Sequence, residues 1–203
     1  MNQIRREALA DRLITLAQGQ GRIIVAIAGA PGSGKSTLAE ALAKAIGPDA
    51  CVVPMDGFHL DNTVLKERGL FARKGAPETF DAEGFRHLIT RLSAGGDVIY
   101  PTFDRELDLA RAGAGVAPAQ AKIVLCEGNY LLLDRPIWAD LAQHWDATVF
   151  LDVPMEELER RLIQRWLDHG HSPEQAKARA MGNDIPNARQ VVEHSRRADF
   201  VVT

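Results

Sequence analysis

Arg22-Ile-Ile-Val-Ala-Ile-Ala-Gly29-Ala-Pro-Gly32-Ser-Gly34-Lys35-Ser36-Thr37 joins an apolar β-branched run to a glycine-rich turn and a lysine that opens a helical pattern. The turn is the P-loop, G-x-x-x-x-G-K-[ST] in full. Gly29, Gly32 and Gly34 allow backbone conformations closed to residues with a Cβ, so successive N–H groups can curl around an anion. Ala30, Pro31, Ser33 and Thr37 complete the expected nucleotide cradle. Lys35 adds a point charge for the β- and γ-phosphates, and Ser36 offers a hydroxyl to a magnesium ion bridging them. The N-terminus of the following helix adds partial positive charge. A plain turn between strand and helix would need neither the lysine nor the hydroxyl.

The rest of the composition limits the partners. The 203 residues allow one α/β domain with a small insertion, taken as residues 1–203 with a lid at about 160–185. A net charge of −3 with no basic cluster argues against a nucleic-acid surface. No run approaches the roughly 18 apolar residues of a membrane span. The N-terminal segment has no apolar signal core. Cys51 and Cys126 lie in apolar strand-like runs, as buried thiols do in a reducing cytoplasm. The chain is expected to be a monomer or homodimer.

Periodicity around the P-loop predicts strands alternating with helices, hence a parallel sheet covered on both faces. A helix is expected over residues 3–18. Leu38, Leu42 and Ile46 mark the helix after the P-loop, which Gly47-Pro48-Asp49 stops. Further strands are predicted at Ala50–Pro54, Lys122–Gly128 and Ala147–Val153, and helices at 82–93, around Ile137, Trp138, Leu141 and Trp145, at 155–168, and near 186–195. Residues 62–81 show little periodicity. Residues 97–120 alternate as a hairpin or flap would. Ser172-Pro173-Glu174-Gln175 is a capping box that starts a short helix.

A P-loop fixes phosphate and magnesium and leaves the reaction open. Phosphoryl transfer to an acceptor needs a base near the acceptor hydroxyl and an acid near the metal. Asp56, at the tip of the second strand, is the candidate for the first role, a turn-forming aspartate being the alternative. Glu127, after four apolar residues, is the candidate for the second, against an ordinary strand-end carboxylate.

Asp56-Gly57-Phe58, Lys74-Gly-Ala-Pro77-Glu-Thr-Phe80-Asp81 and Glu127-Gly128 together resemble the uridine kinase, bacterial pantothenate kinase and phosphoribulokinase group, in register from about residue 22 to the C-terminus. The resemblance implies a three-layer α/β/α P-loop fold with a five-stranded core in the order 2-3-1-4-5 and a mobile lid. It implies ATP-dependent phosphorylation of a hydroxyl on a small metabolite, with Asp56 as base, Glu127 on the magnesium side, and Arg161 and Arg165 at the base of the lid. Closure would bring guanidinium groups to the charge in transit. Glu157 and Arg161 also fit an ordinary i, i+4 pair, which leaves Arg165 the stronger candidate. The Asp56–Asp61, Tyr100–Arg105 and Asn183–Asn187 runs look most like a small subset labelled fructose transport system kinases, which implies a sugar acceptor such as fructose.

His59, Asp61, Tyr100, Asp104, Arg105, Asn129 and Tyr130 fall on loops expected beside Asp56 and offer the mixed donors and acceptors a polyol needs. Phe58, Phe80 and Phe103 could wall the pocket or belong to the core. Asn187 is a candidate adenine contact. His169-Gly170-His171 stands where uridine kinases tend to carry arginines, so lid contacts to phosphate would depend on pH. Other readings fit less. Asp81-Ala-Glu-Gly84 matches a GTPase switch motif, but it does not follow an apolar strand and no guanine signature accompanies it. A dinucleotide oxidoreductase leaves Lys35, Ser36 and Glu127 unexplained. A nucleoside or pantothenate-type kinase, or a non-catalytic ATP-binding partner of a transport system, remains the alternative.

Overall fold

A computed structural model describes residues 2–203. Its elements in chain order are β1 (Asn2–Gln3), α1 (Arg6–Ala17), β2 (Ile23–Gly29), α2 (Lys35–Ile46), β3 (Ala50–Pro54), α3 (Asn62–Glu67) and α4 (Ala82–Ser93). The hairpin strands β4 (Val98–Asp104) and β5 (Leu109–Ala117) follow. Then come β6 (Ile123–Gly128), β7 (Ala147–Leu151), α5 (Met155–Asp168), α6 (Pro173–Arg179), α7 (Ile185–His194) and β8 (Phe200–Val202). All pairings in the main sheet are parallel, in the order β1-β8-β7-β2-β6-β3. Counted without the hairpin and β1, the core runs 2-3-1-4-5 as expected. The two-residue β1 adds a sixth strand beside β8, too short for periodicity to reveal.

β2 is buried along its whole length because both of its faces are covered. Ile24, Ala26 and Ala28 pack with Phe85, Ile89 and Leu92 of α4 and with Leu158 and Leu162 of α5. Ile23, Val25 and Ile27 face Leu9 and Leu13 of α1 and Leu38 and Leu42 of α2. The alternation sets the strand's register and, with it, the position of the P-loop at its C-terminal end. At the other end Arg22 donates to four backbone carbonyls, those of Ala121 (2.9 Å), Leu92 (3.3 Å), Gly96 (3.0 Å) and Pro118 (2.7 Å). That one side chain ties β2 to the end of α4, the hairpin base and the approach to β6.

Two expectations need correction. The helix predicted around Ile137 and Trp138 is only a short 3-10 stretch, Ala139–His144. Ile137 is in the left-handed region (φ 71), which a continuous helix cannot pass through. Trp145 instead donates to the Leu131 carbonyl. Residues 62–81, expected to be irregular, include α3, whose N-cap Asp61 accepts from Thr63 N at 2.7 Å. The capping box at Ser172 forms as predicted, and α6 runs into a π-turn at Ala180–Asp184 before α7. The flap is the β4–β5 hairpin, with its register shifted between Tyr100 and Thr102, beside Pro101.

Candidate active site

The P-loop lies at the C-terminal edge of the parallel sheet, where open α/β folds bind ligands. Gly32 (φ 81) and Gly34 (φ 93) hold left-handed conformations, and Lys35 opens α2 directly behind them. At Gly29 a Cβ would come within 2.7 Å of Ser33 Oγ and 3.1 Å of the Leu151 carbonyl, so the strand can enter the turn only as glycine. Ala30 and Pro31 are buried, and Ser33 N donates to the Ala30 carbonyl at 3.0 Å, which closes the turn. Thr37 is exposed one turn into α2.

β3 and β6 are adjacent, with Pro54 paired to Glu127. Asp56, two residues past Pro54, therefore stands beside Glu127 at the same edge. Glu127 is only 5% exposed and accepts from Ser36 Oγ at 3.2 Å. Burial raises its pKa, the Lys35 charge opposes that shift, and the Asp56 charge adds to it. A buried carboxylate and a hydroxyl are hard oxygen donors of the kind that bind magnesium together with phosphate oxygens. Among the described residues, no group of three or more His, Cys, Asp or Glu side chains forms a separate metal site.

Arg105, on the hairpin turn, places Nη2 2.8 Å from Asp56 Oδ2. His59 packs at a tilt against Phe80 (4.0 Å between centroids) and Phe103 (4.5 Å), with its Nδ1 2.7 Å from the Asp56 carbonyl. Burial lowers the His59 pKa, and Asp56 opposes the shift. Asn129 carries a buried Oδ1 with no partner, just past Glu127-Gly128.

Several candidate contacts are structural instead. The Tyr100 hydroxyl donates to the Val52 carbonyl at 2.9 Å, and its ring packs where a Gly115 Cβ would lie. Tyr130 is fully buried against Phe80 and Trp138, with its hydroxyl on the Gly75 carbonyl. Phe58 packs edge-on to Phe85 at 5.3 Å, so it belongs to the core, and Phe80 is 6% exposed. Asp61 caps α3, and Asp104 accepts from the backbone N–H groups of Glu106 and Leu107 within the hairpin turn. Asn187 is 3% exposed and donates to Asn183 Oδ1 at 3.3 Å, which closes it to adenine. For Tyr100 and Tyr130 a buried backbone carbonyl accepts from the hydroxyl that a polar pocket would otherwise use.

On α5, Arg161 bonds Glu157 (2.7 Å), as the i, i+4 spacing allows, and Nη1 also donates to the Gly32 and Ser33 carbonyls at 3.2 Å each. Arg165 is exposed, and its charge is felt by the half-buried Asp184. His169 and His171 pack on Trp166, at 5.9 Å and 5.1 Å, and Arg179 lies over the same ring at 4.8 Å.

Sequence reasoning missed Lys74 as a site-shaping residue. Its Nζ donates to Asn62 Oδ1 (2.7 Å) and to the carboxylate and carbonyl of Asp108 (2.8 Å each), and lies 5.1 Å from the Phe103 centroid. Lys74 opens one of the motifs quoted above, but nothing in the sequence links it to a residue 34 positions on. Asn183, on the π-turn, donates to the Lys74 carbonyl at 2.8 Å.

The model of the "Phosphoribulokinase / Uridine kinase family" matches residues 24–203. The crystal structure of a Silicibacter protein described as a "putative fructose transport system kinase" is similar with a TM-score of 0.93 and 50% identity, covering 98% of both chains. An uncharacterized Escherichia coli protein, YggC, is 37% identical over 90% of this chain and 78% of its own. A Schizosaccharomyces pombe protein described as a "putative uridine kinase" is 33% identical over 97% of this chain and 89% of its own. Among the described residues, no helix is long and apolar enough to cross a membrane.

Proposed function

The chain belongs to the phosphoribulokinase/uridine kinase family of P-loop kinases, and on that premise we propose that it transfers the γ-phosphoryl group of ATP to a hydroxyl of a small sugar, fructose or a related ketose. The observation that carries the reading is the pair of carboxylates, Asp56 and Glu127, at the ends of neighbouring strands and opening toward the glycine cradle and Lys35.

Bound ATP with magnesium supplies the transferable phosphoryl group. The P-loop amides and Lys35 hold its phosphates, and Ser36 with Glu127 provides the protein's oxygen ligands for the metal. Asp56 takes the proton from the acceptor hydroxyl as that oxygen bonds to the γ-phosphorus and the bond to the β–γ bridging oxygen breaks. Arg105 stands on the acceptor side of Asp56, where His59 forms part of the wall. Arg165 is the lid arginine with an exposed charge to bring to the phosphoryl group. The Silicibacter relative's description supports the sugar; the fold supports a hydroxyl acceptor of any small class.

The test is ADP release from ATP and magnesium against a panel of ketoses, aldoses, nucleosides and pantothenate. Turnover is expected with a ketose, and Asp56→Asn should lower kcat by about 10²–10⁴-fold while calorimetric ATP affinity stays unchanged. Preferred turnover of a nucleoside or pantothenate would overturn the sugar assignment. Full activity of Asp56→Asn would overturn the base.

A further inference from the structure

We infer that Arg105 is a positioning residue: it fixes the side-chain rotamer of Asp56 so that one carboxylate oxygen is turned to the acceptor. The inference rests on the reading of Asp56 as the base. Arg105 Nη2 contacts only Oδ2, at 2.8 Å, and among the described residues no hydrogen bond is directed at Oδ1. One oxygen is thus tethered and the other is left to accept a proton.

A guanidinium can orient a partner only if its own backbone is held, and this one is held from three sides. First, the hairpin lies against the Asp56 turn itself. A Cβ on Gly57 would fall 2.0 Å from the Pro101 carbonyl oxygen and 3.0 Å from Thr102 N, so the glycine after Asp56 is what lets β4 approach. Second, Asp104 Oδ1 accepts from Glu106 N (3.2 Å) and Leu107 N (3.1 Å), which fixes the turn that carries Arg105. Third, Asp108, in the left-handed region (φ 52), is clasped by Lys74 Nζ (2.8 Å) and Asn62 Nδ2 (3.1 Å). Lys74 in turn reaches the lid's π-turn through its carbonyl, which accepts from Asn183. The Arg105 side chain is 73% exposed while that of Asp56 is 21% exposed, so the arginine is a solvated arm and the carboxylate is the more enclosed partner. An ion pair of this exposure biases rotamers by at most a factor of about 5.

The test reads the rotamer directly in the full chain. Three-bond couplings from Asp56 Cγ to its own backbone nitrogen and carbonyl carbon, assigned with Asp56→Asn, should report one predominant χ1 rotamer in the wild type. They should report averaged rotamers in Arg105→Ala and Arg105→Gln, with backbone amide spectra elsewhere unchanged, and partial restoration in Arg105→Lys. A single rotamer retained in both Arg105→Ala and Arg105→Gln overturns the inference. Kinetics with ATP, magnesium and D-fructose form the second arm. Arg105→Ala should lower kcat about 5-fold with the KM for ATP unchanged, and cause no further loss in the Asp56→Asn background. A change confined to the KM for fructose would make Arg105 a binding group and overturn the positioning role. If Asp56→Asn keeps full turnover while the couplings average as expected, Arg105 still orients Asp56 and it is the base assignment that fails. If fructose is not turned over, the sugar assignment fails and the couplings alone decide.

Discussion

Gly57→Ala is the substitution that most directly links fold to chemistry here. The added Cβ would sit 2.0 Å from the Pro101 carbonyl oxygen and 2.5 Å from its carbon, both backbone atoms that cannot rotate away. To restore ordinary contact the hairpin or the Asp56 turn must retreat by more than ~1 Å. Overpacking of this kind costs about 1–3 kcal/mol, which urea denaturation would register as a lower midpoint with an unchanged slope. The same retreat draws Arg105 off Asp56 and shifts the carboxylate relative to the γ-phosphate. A misplacement near 1 Å lowers kcat by about 10²-fold. Gly21→Ala, where nothing lies within 4 Å of the new methyl, serves as the control. ADP release with the acceptor that gives the highest turnover, measured beside the denaturation curves, reads both effects. Wild-type kcat together with a wild-type urea midpoint in Gly57→Ala would refute the argument that the hairpin is seated on that glycine.

Other expectations concern the sheet, the metal side and the lid. Arg22→Met removes the donor from four carbonyls at once and should destabilise the fold by ~2–4 kcal/mol, seen in urea unfolding, with little change in KM for ATP. Saturating ATP with magnesium should raise the wild-type Tm by about 5–10 °C, and Glu127→Gln should reduce the increment to that of ATP alone. Asp184 is half-buried against Trp166, whose Nε1 donates to it at 2.6 Å. Burial raises its pKa, opposed by the Trp166 hydrogen bond, Arg165 and Arg179. Because the folded state holds this proton more tightly than the unfolded chain, the favourable contribution is present below the ordinary carboxylate pKa and is lost as pH rises through the raised value. Asp184→Asn should therefore gain stability relative to wild type at pH 7 and match it at pH 4, as melting curves at the two pH values would report.

The parts of the fold that follow one physical rule were legible in the sequence. The P-loop joins a run buried on both faces to a helix, and Ala50–Pro54, 82–93 and 155–168 end where their patterns break. The positions of Asp56 and Glu127 were equally legible, because a carboxylate at the end of an apolar strand must emerge at the ligand-binding edge. What stayed hidden depends on partners distant in sequence. Tyr100 and Tyr130 read as polar pocket lining until a backbone carbonyl is seen to accept from each hydroxyl. Lys74, Asp108 and Asn62 meet only because the hairpin folds back, and the left-handed Ile137 breaks a pattern whose apolar spacing was otherwise helical.

Arg161 of α5 holds the Ser33 carbonyl from outside the loop, at 3.2 Å. A trans peptide is rigid, so anchoring that oxygen also fixes the Gly34 N–H pointing the opposite way. Peptide flips that left-handed glycines such as Gly32 and Gly34 would otherwise permit are thereby restrained from outside the cradle. An arginine can in this way set, from outside the cradle, how many amides greet a phosphate on arrival, and loosening α5 would blunt nucleotide capture before any chemistry begins.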